Sequence, residues 1–270
     1  VATFNVHMGV DGWGRPFDVV TQCGRLDADL LVLQESWAPD DDGPSTAARV
    51  AERWGYQVVA EVALAHARLY APLPTASERW APWPNRLRRA LRLDQERTGA
   101  GYADRPFVRG RWGVAVLSRV PVHDVDVLPL GRLRRDPARR AVIRCRTRLD
   151  GREVTVLGTH MSHITHGSHV QYRRLRAALP DVDTAAVLLG DMNLWGPPVN
   201  AYVSGWRRAV TGRTWPAHRP HSQLDHVLVT PSLTVVDAGI APESGSDHRP
   251  VRVTLSLGEA APVGPGVASP

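Results

Sequence analysis

Lysine is absent: all 33 basic side chains among the 270 residues are arginine. Every fixed cation is therefore a planar guanidinium, whose fork of donors matches phosphate oxygens better than a point-like ammonium does. Cysteine is almost absent. Cys23 and Cys145 cannot build a disulfide framework and match no metal-binding spacing, so both read as small core residues, in keeping with a reducing compartment. Long apolar runs are missing as well. Nothing approaches the ~18 consecutive apolar residues of a membrane helix, so stable membrane insertion is not expected. The opening VATFNVHMGV has neither a basic leader nor a hydrophobic signal core, and a cytoplasmic monomer is the expectation.

What is present is a hydrophobic fraction of 43%, ordinary for a globular protein, and a net charge of +6. A basic surface favours polyanions: nucleic acid, phosphorylated small molecules or anionic lipid. Charge alone does not choose among them.

Short apolar runs alternate with turn signals along most of the chain. Strands are expected at VATFNV, LLVLQE, YQVVAEV, GVAVLS, AVIRCRTRL, EVTVLGTH, AVLLGD, LDHVLVT and RPVRVTLSL. In the last of these Val251, Val253, Leu255 and Leu257 share one face, and Arg252, Thr254 and Ser256 the other. Helices are expected around Phe17–Leu26, at STAARVAERWG with Ser45 as N-cap and Gly55 as stop, and at SHVQYRRLRAALP. In that third helix Ser168 is the expected N-cap, Val170, Leu175 and Leu179 the inward stripe, and Pro180 the terminator. Interleaved strands and helices point to α/β or α+β layering.

Residues 65–112 break the rhythm. They are punctuated by proline and carry Trp80, Trp83 and Trp112, with nine arginines between Arg79 and Arg111. We read them as an insertion within one domain of 1–257, with a short amphipathic helix from about Asn85 that turns Leu87 and Leu91 inward. A solvated helix face and a basic lip for a polyanion are both open readings of its arginines, Arg86, Arg88, Arg89 and Arg92 among them. Residues 258–270 are small, Gly-rich and Pro-rich, the composition of a disordered tail.

The strand ends share a habit. Asn5, Glu35, His160 and Asp191 end strands, Asn193 follows two residues later, Asp225 opens a strand, and Asp247 and His248 precede the last one. Any one of them reads most simply as a turn residue, a cap or a satisfied histidine. Their recurrence at strand end after strand end fits attack on a phosphodiester. That chemistry needs a hard divalent cation such as Mg²⁺ or Mn²⁺, an activated water, and donors for the charge of the transition state. GVAVLSR reads as structural, with Gly113 opening a buried strand and Arg119 closing it. His163, His166 and His169 are irregularly spaced and read as loop and helix-start residues, His163 being the nearest to a substrate role.

In order along the chain, TFNVHMG, LQE, GVAVLSR, GTHMS, GDMN, QLDHV and SDHRPV resemble the endonuclease/exonuclease/phosphatase superfamily. The resemblance runs from about Ala2 to Leu257. It implies an α+β four-layer sandwich, two mixed β-sheets face to face with helices outside, and a divalent-metal-dependent phosphoesterase with its site at one end of the sheets. It implies Mg²⁺ or Mn²⁺ at Glu35, supported by Asn5 and with Asp247 as a further metal-site carboxylate. Asp191 and Asn193 would position the nucleophile and the phosphoryl group, and His248, paired with Asp225, would contact the scissile phosphate. His160 stands where deoxyribonuclease-like and sphingomyelinase-like members have histidine and many abasic-site endonucleases have tyrosine. The expected substrate is a polyanionic phosphodiester, DNA or RNA. The alternative is a phosphoinositide phosphatase or a sphingomyelinase- or phospholipase C-like hydrolase acting on a phospholipid head group.

Overall fold

The unbroken apolar run at 30–33 belongs to a strand covered on both faces. In β2 (Leu30–Pro39), Leu30 and Val32 face one way, Leu31 and Leu33 the other, and all four are buried. Leu30 and Val32 enter a core with Val156, Val187 and Val227. Leu31 and Leu33 enter a second core with Phe4, Cys23 and Val50. One strand serving two cores is the mark of a middle layer.

The computed structural model describes residues 1–70, 106–242 and 244–258. Alongside β2, the first sheet contains β1 (Ala2–Asn5), β3 (Gln57–Tyr70), β4 (Phe107–Ser118), β11 (Leu233–Ile240) and β12 (Val251–Leu257), in the order β11-β12-β1-β2-β4-β3. The second contains β5 (Val122–Leu133), β6 (Asp136–Leu149), β7 (Arg152–His160), β8 (Ala186–Asp191), β9 (Arg207–Arg208) and β10 (Asp225–Val229), in the order β5-β6-β7-β8-β10-β9. Within each sheet one pair is parallel, β1 with β2 and β7 with β8, and the other pairings are antiparallel.

Helices α1 (Val19–Arg25) and α2 (Thr46–Trp54) cover the outer face of the first sheet through Val19, Cys23, Ala47 and Val50. Helices α3 (His169–Ala178) and α4 (Pro198–Tyr202) cover the second, where Tyr172, Leu175 and Val199 meet Leu157, Leu188 and Leu228. The layers run helix, sheet, sheet, helix, the sandwich expected from the resemblance. Among the described residues no helix is long and apolar enough to cross a membrane. Cys23 and Cys145 are free and buried; burial pushes both thiols up, that of Cys145 to about 11.

The ends of α2 are as expected. The Ser45 hydroxyl accepts from Ala48 N at 3.1 Å, and Gly55 closes the helix at φ +70°. α3 departs from expectation. Ser168 makes no capping bond through its side chain, and its buried hydroxyl has no partner. The buried stripe is Gln171, Tyr172 and Leu175, with Val170 and Leu179 half-buried. Gln171 faces inward because its amide satisfies two backbone groups there, Ser162 N at 3.3 Å and Gly131 O at 3.0 Å.

β3 and β4 pair from Gln57 with Ser118 to Tyr70 with Phe107. Residues 65–70 and 107–112, expected within the insertion, are therefore strand. Gly113 lies inside β4 rather than opening it, and a Cβ there would sit 2.0 Å from Val62 O. Residues 71–105, with the helix expected from Asn85, and residues 259–270, with most of the expected tail, lie outside the described residues. β5, β9, β11 and α4 were not expected from the sequence.

Candidate active site

Strand register gathers the singled-out side chains. The parallel pairing of β1 and β2 sets Asn5 beside Gln34, one residue before Glu35. In the other sheet His160 pairs with Asp191, and Asp191 with Asp225. Both sets sit at corresponding strand ends, so the sandwich brings them together at one edge.

Two local backbone features aim the carboxylates. Glu35 lies in a β-bulge between Gln34 and Ser36, in the left-handed region at φ +54°. The bulge breaks the alternation of β2 and turns Glu35 toward the site. Asn193 is left-handed as well, at φ +49°. Gly190 sits at φ +153° with Thr159 O where a Cβ would be, so β8 lies tight against β7 as it delivers Asp191.

Asp191 is the centre of the arrangement. Its Oδ2 accepts from Asn5 Nδ2 at 3.0 Å and its Oδ1 from Asn193 N at 2.8 Å. The other end of the Asn5 amide accepts from His7 N at 3.0 Å, while Asn5 Nδ2 also reaches Glu35 Oε1 at 3.4 Å. Asn5 therefore links the two carboxylates and cannot flip without losing three bonds. The Asn193 amide donates to Met161 O at 2.9 Å and faces His160 Nε2 at 3.2 Å.

Two histidines flank Asp191 Oδ2 in opposite charge states. His248 Nδ1 is 2.9 Å from Asp225 Oδ2, and its Nε2 is 3.8 Å from Asp191 Oδ2. Burial opposes charge on this ring, but Asp225 and Asp191 outweigh it and hold the His248 pKa well above the usual value. His160 Nε2 is 3.5 Å from the same Asp191 oxygen. Burial, then the charges of Arg140 and His248, push its pKa well down, so it is neutral. Burial raises the Asp191 pKa to about 7, against the charge of His248 and with the help of Asp225.

Asp247 stands beside this group. Trp215 Nε1 donates to its Oδ2 at 3.3 Å. Its Oδ1 lies 3.3 Å from His7 Nδ1, an ion-pair distance, yet His7 Nδ1 bonds Val10 O at 3.1 Å, and the buried Oδ1 has no hydrogen-bond partner. A buried carboxylate oxygen without a donor calls for a cation.

All eight singled-out residues thus lie in one neighbourhood. His163, His166 and His169 form no metal-type cluster; His163 caps a short 3₁₀ turn, and His169 begins α3. Sequence reasoning missed His7, Trp215 and a buried ion pair. In that pair Arg140 holds Asp136 at 3.0 Å and stacks on Trp112, whose ring lies 5.5 Å from His160. Proximity of His7 to the FN pair was the only sequence signal for any of them.

The chain matches a family model described as the Endonuclease/Exonuclease/phosphatase family over residues 2–248. Solved structures share its fold. An endonuclease/exonuclease/phosphatase protein from Beutenbergia cavernae is 22% identical at a TM-score of 0.62, covering 95% of this chain and 71% of that one. A mannosyl-6-phosphatase from Bacteroides thetaiotaomicron is 16% identical at 0.61, and an AP endonuclease from Archaeoglobus fulgidus 18% identical at 0.56; each match covers 95% of this chain and 98% of the other. No protein of curated function matches the chain significantly.

Proposed function

The chain belongs to the endonuclease/exonuclease/phosphatase family, and from that premise we propose that it is a divalent-metal-dependent phosphodiesterase whose substrate is a nucleic acid. The observation that carries the reading is the Asp191 carboxylate, gripped by Asn5 and Asn193 and flanked by a cationic His248.

The chemistry of two carboxylates near Asp191 fits a hard divalent cation. Glu35 and Asp247 offer carboxylate oxygens, one of them buried and unsatisfied, with no thiolate beside them. Asn5 supports this pair through its bond to Glu35. Asp191, Asp225 and His248 also offer closely spaced ligand atoms. Both nitrogens of His248 face carboxylates, however, and its raised pKa keeps a proton on each, so we assign this trio to proton and charge management. When bound, Mg²⁺ or Mn²⁺ would polarise the phosphoryl oxygens and favour ionisation of water.

The chain's own groups account for the rest. Asp191 orients a water and takes its proton, a role suited to a carboxyl with a pKa near neutrality. The water oxygen bonds to phosphorus as the ester oxygen leaves. His248 donates from Nε2 to a phosphoryl oxygen while Asp225 fixes the ring through Nδ1. The Asn193 side chain, tied to Met161 O, holds neutral His160 against Asp191.

An exposed aromatic supports a nucleic acid. Trp195, two residues past Asn193, is 49% exposed. Its indole offers a stacking face for an unpaired base. The test is a side-by-side assay with Mg²⁺ of plasmid DNA, RNA, bis-p-nitrophenyl phosphate, inositol phosphates and sphingomyelin. Cleavage of nucleic acid and of the small diester, lost in Asp191→Asn, is expected. Turnover confined to inositol phosphates or sphingomyelin would replace the substrate, and no turnover of any ester would overturn the activity.

A further inference from the structure

The β5–β6 hairpin distributes its charge unevenly. In its half away from the site, Arg144 pairs with Asp126 at 2.7 Å, and Arg146 with Asp124 at 3.3 Å and Glu153 at 3.2 Å. Counting Arg148, Arg152 and Asp150 near that end, four arginines meet four carboxylates. The half beside the site is different. Between residues 130 and 140 there are five arginines and one carboxylate, Asp136, which is buried and already held by Arg140. Arg132, Arg134, Arg135 and Arg139 are exposed, and none forms an ion pair or hydrogen bond among the described residues.

This half of the hairpin is fastened to the site's own loop. Arg140 reaches His160 O at 3.4 Å, and the Ser162 hydroxyl donates to Asp136. Gln171 ties Gly131 O to Ser162 N, while Arg174 Nη1 donates to Leu130 O at 2.8 Å. Gly131, at φ +82°, leaves room for that guanidinium, which a Cβ would meet at 2.0 Å. Four uncompensated cations thus stand on a braced support next to His160. Arg132 and Arg139 line a groove of about 520 Å³ between the two sheets, with Val62 and Pro129 on its walls.

Uncompensated guanidiniums set close together repel one another and raise the free energy of the folded chain until an anion sits among them. Their number calls for several negative charges in a row, and the hairpin tip, Arg134–Arg135, carries no aromatic or large aliphatic residue to enter a bilayer. We infer that Arg132, Arg134, Arg135 and Arg139 form an arm that grips the sugar–phosphate backbone of a nucleic acid beyond the bond being cleaved. The inference rests on the nucleic-acid reading of the site and adds where the strand lies: along the β5–β6 edge, on the His160 side.

The experiment compares two variants of equal charge change, Arg134→Ser/Arg135→Ser at the arm and Arg148→Ser/Arg152→Ser at the far end. Binding of a labelled 20-nucleotide DNA is measured by anisotropy across a salt series on the Asp191→Asn background, so that it does not depend on cleavage. The arm variant is expected to lose about tenfold in affinity at ~0.1 M salt and to flatten the slope of log K against log salt by about 1 to 2, while the far-end pair shifts both far less. Equal losses in both variants, or none, overturn the arm. Capture of anionic vesicles through these arginines, with no DNA binding, overturns it in favour of a lipid surface. Cleavage of nucleic acid with arm-independent binding sinks the arm alone; arm-dependent binding without cleavage by the unsubstituted protein sinks the hydrolytic reading alone.

Discussion

His248 and Asp225 come from segments 23 residues apart and meet at 2.9 Å, Nδ1 to Oδ2, with the carboxylate fully buried. The ring and the carboxylate work as one unit: Asp225 holds both the orientation and the proton of His248. His248→Ala is expected to lower turnover on the order of 10²-fold or more, with KM changed less, since the donor acts chiefly in the transition state. Asp225→Asn should do likewise. The double variant should be scarcely worse than either single one. Multiplying losses would show that the two act separately.

Removal of metal should abolish hydrolysis, and Mg²⁺ or Mn²⁺ should restore it. Glu35→Gln removes a charge from a side chain whose backbone is already held by the bulge. It should raise the Mg²⁺ concentration needed for half-maximal rate by roughly tenfold or more, leaving the melting temperature of the metal-free protein near its original value. Full activity in EDTA would remove the cation from the proposal.

A third outcome concerns acid. His226 donates from Nε2 to Leu194 O at 3.0 Å, and burial pushes its pKa down to about 4. The unfolded chain takes up this proton below roughly pH 6.5, the folded chain only near 4. Neutral His226 therefore stabilises the fold fully above pH 6.5, and that contribution is lost as pH falls from 6.5 to 4, by about 3 kcal/mol. Urea titrations at several pH values should show a shallower decline in His226→Gln. Parallel declines in the two proteins would assign the acid sensitivity elsewhere.

Gly190→Ala should be severe. The new methyl would meet Thr159 O at 2.0 Å from a backbone at φ +153°, one residue before Asp191. A loss of about 3 kcal/mol is expected, together with reduced turnover in whatever folds. Gly151→Ala, at φ +78° in open space, should cost only about 1 kcal/mol and serves as the control. Similar melting temperatures for the two variants would contradict the tight β7–β8 approach.

The layers and the gathering of the eight singled-out side chains were legible in the sequence because strand ends carry both. Alternation along β12, the paired faces of β2 and the GDMN turn each report local geometry. What escaped was set by edges and by register. β5 contains Pro129 and the charges of His123, Asp124 and Asp126, tolerable on an edge strand but unlike a buried one. β11, another edge, leaves Val236 63% exposed where a bulge breaks its pattern. The turn of Glu35 into the site depends on a bulge that no residue type announces. The Arg140–Asp136 pair lies within a charged run that reads as solvent-facing. The basic lip read from the sequence in 65–112 falls mostly outside the described residues; the inferred arm at 132–139 is singled out because four of its arginines meet no carboxylate among the described residues.

Ser246 Oγ donates to Asn5 O at 2.7 Å, and the Val1 amine to Val253 O at 2.9 Å, closing the first strand against the last. A centre drawing on Asn5 and His248 cannot exist on a ribosome until nearly all of this sequence has emerged. Such long-range closure is slow relative to local pairing. Completion of the first sheet and assembly of this centre therefore both wait on the C-terminal strand.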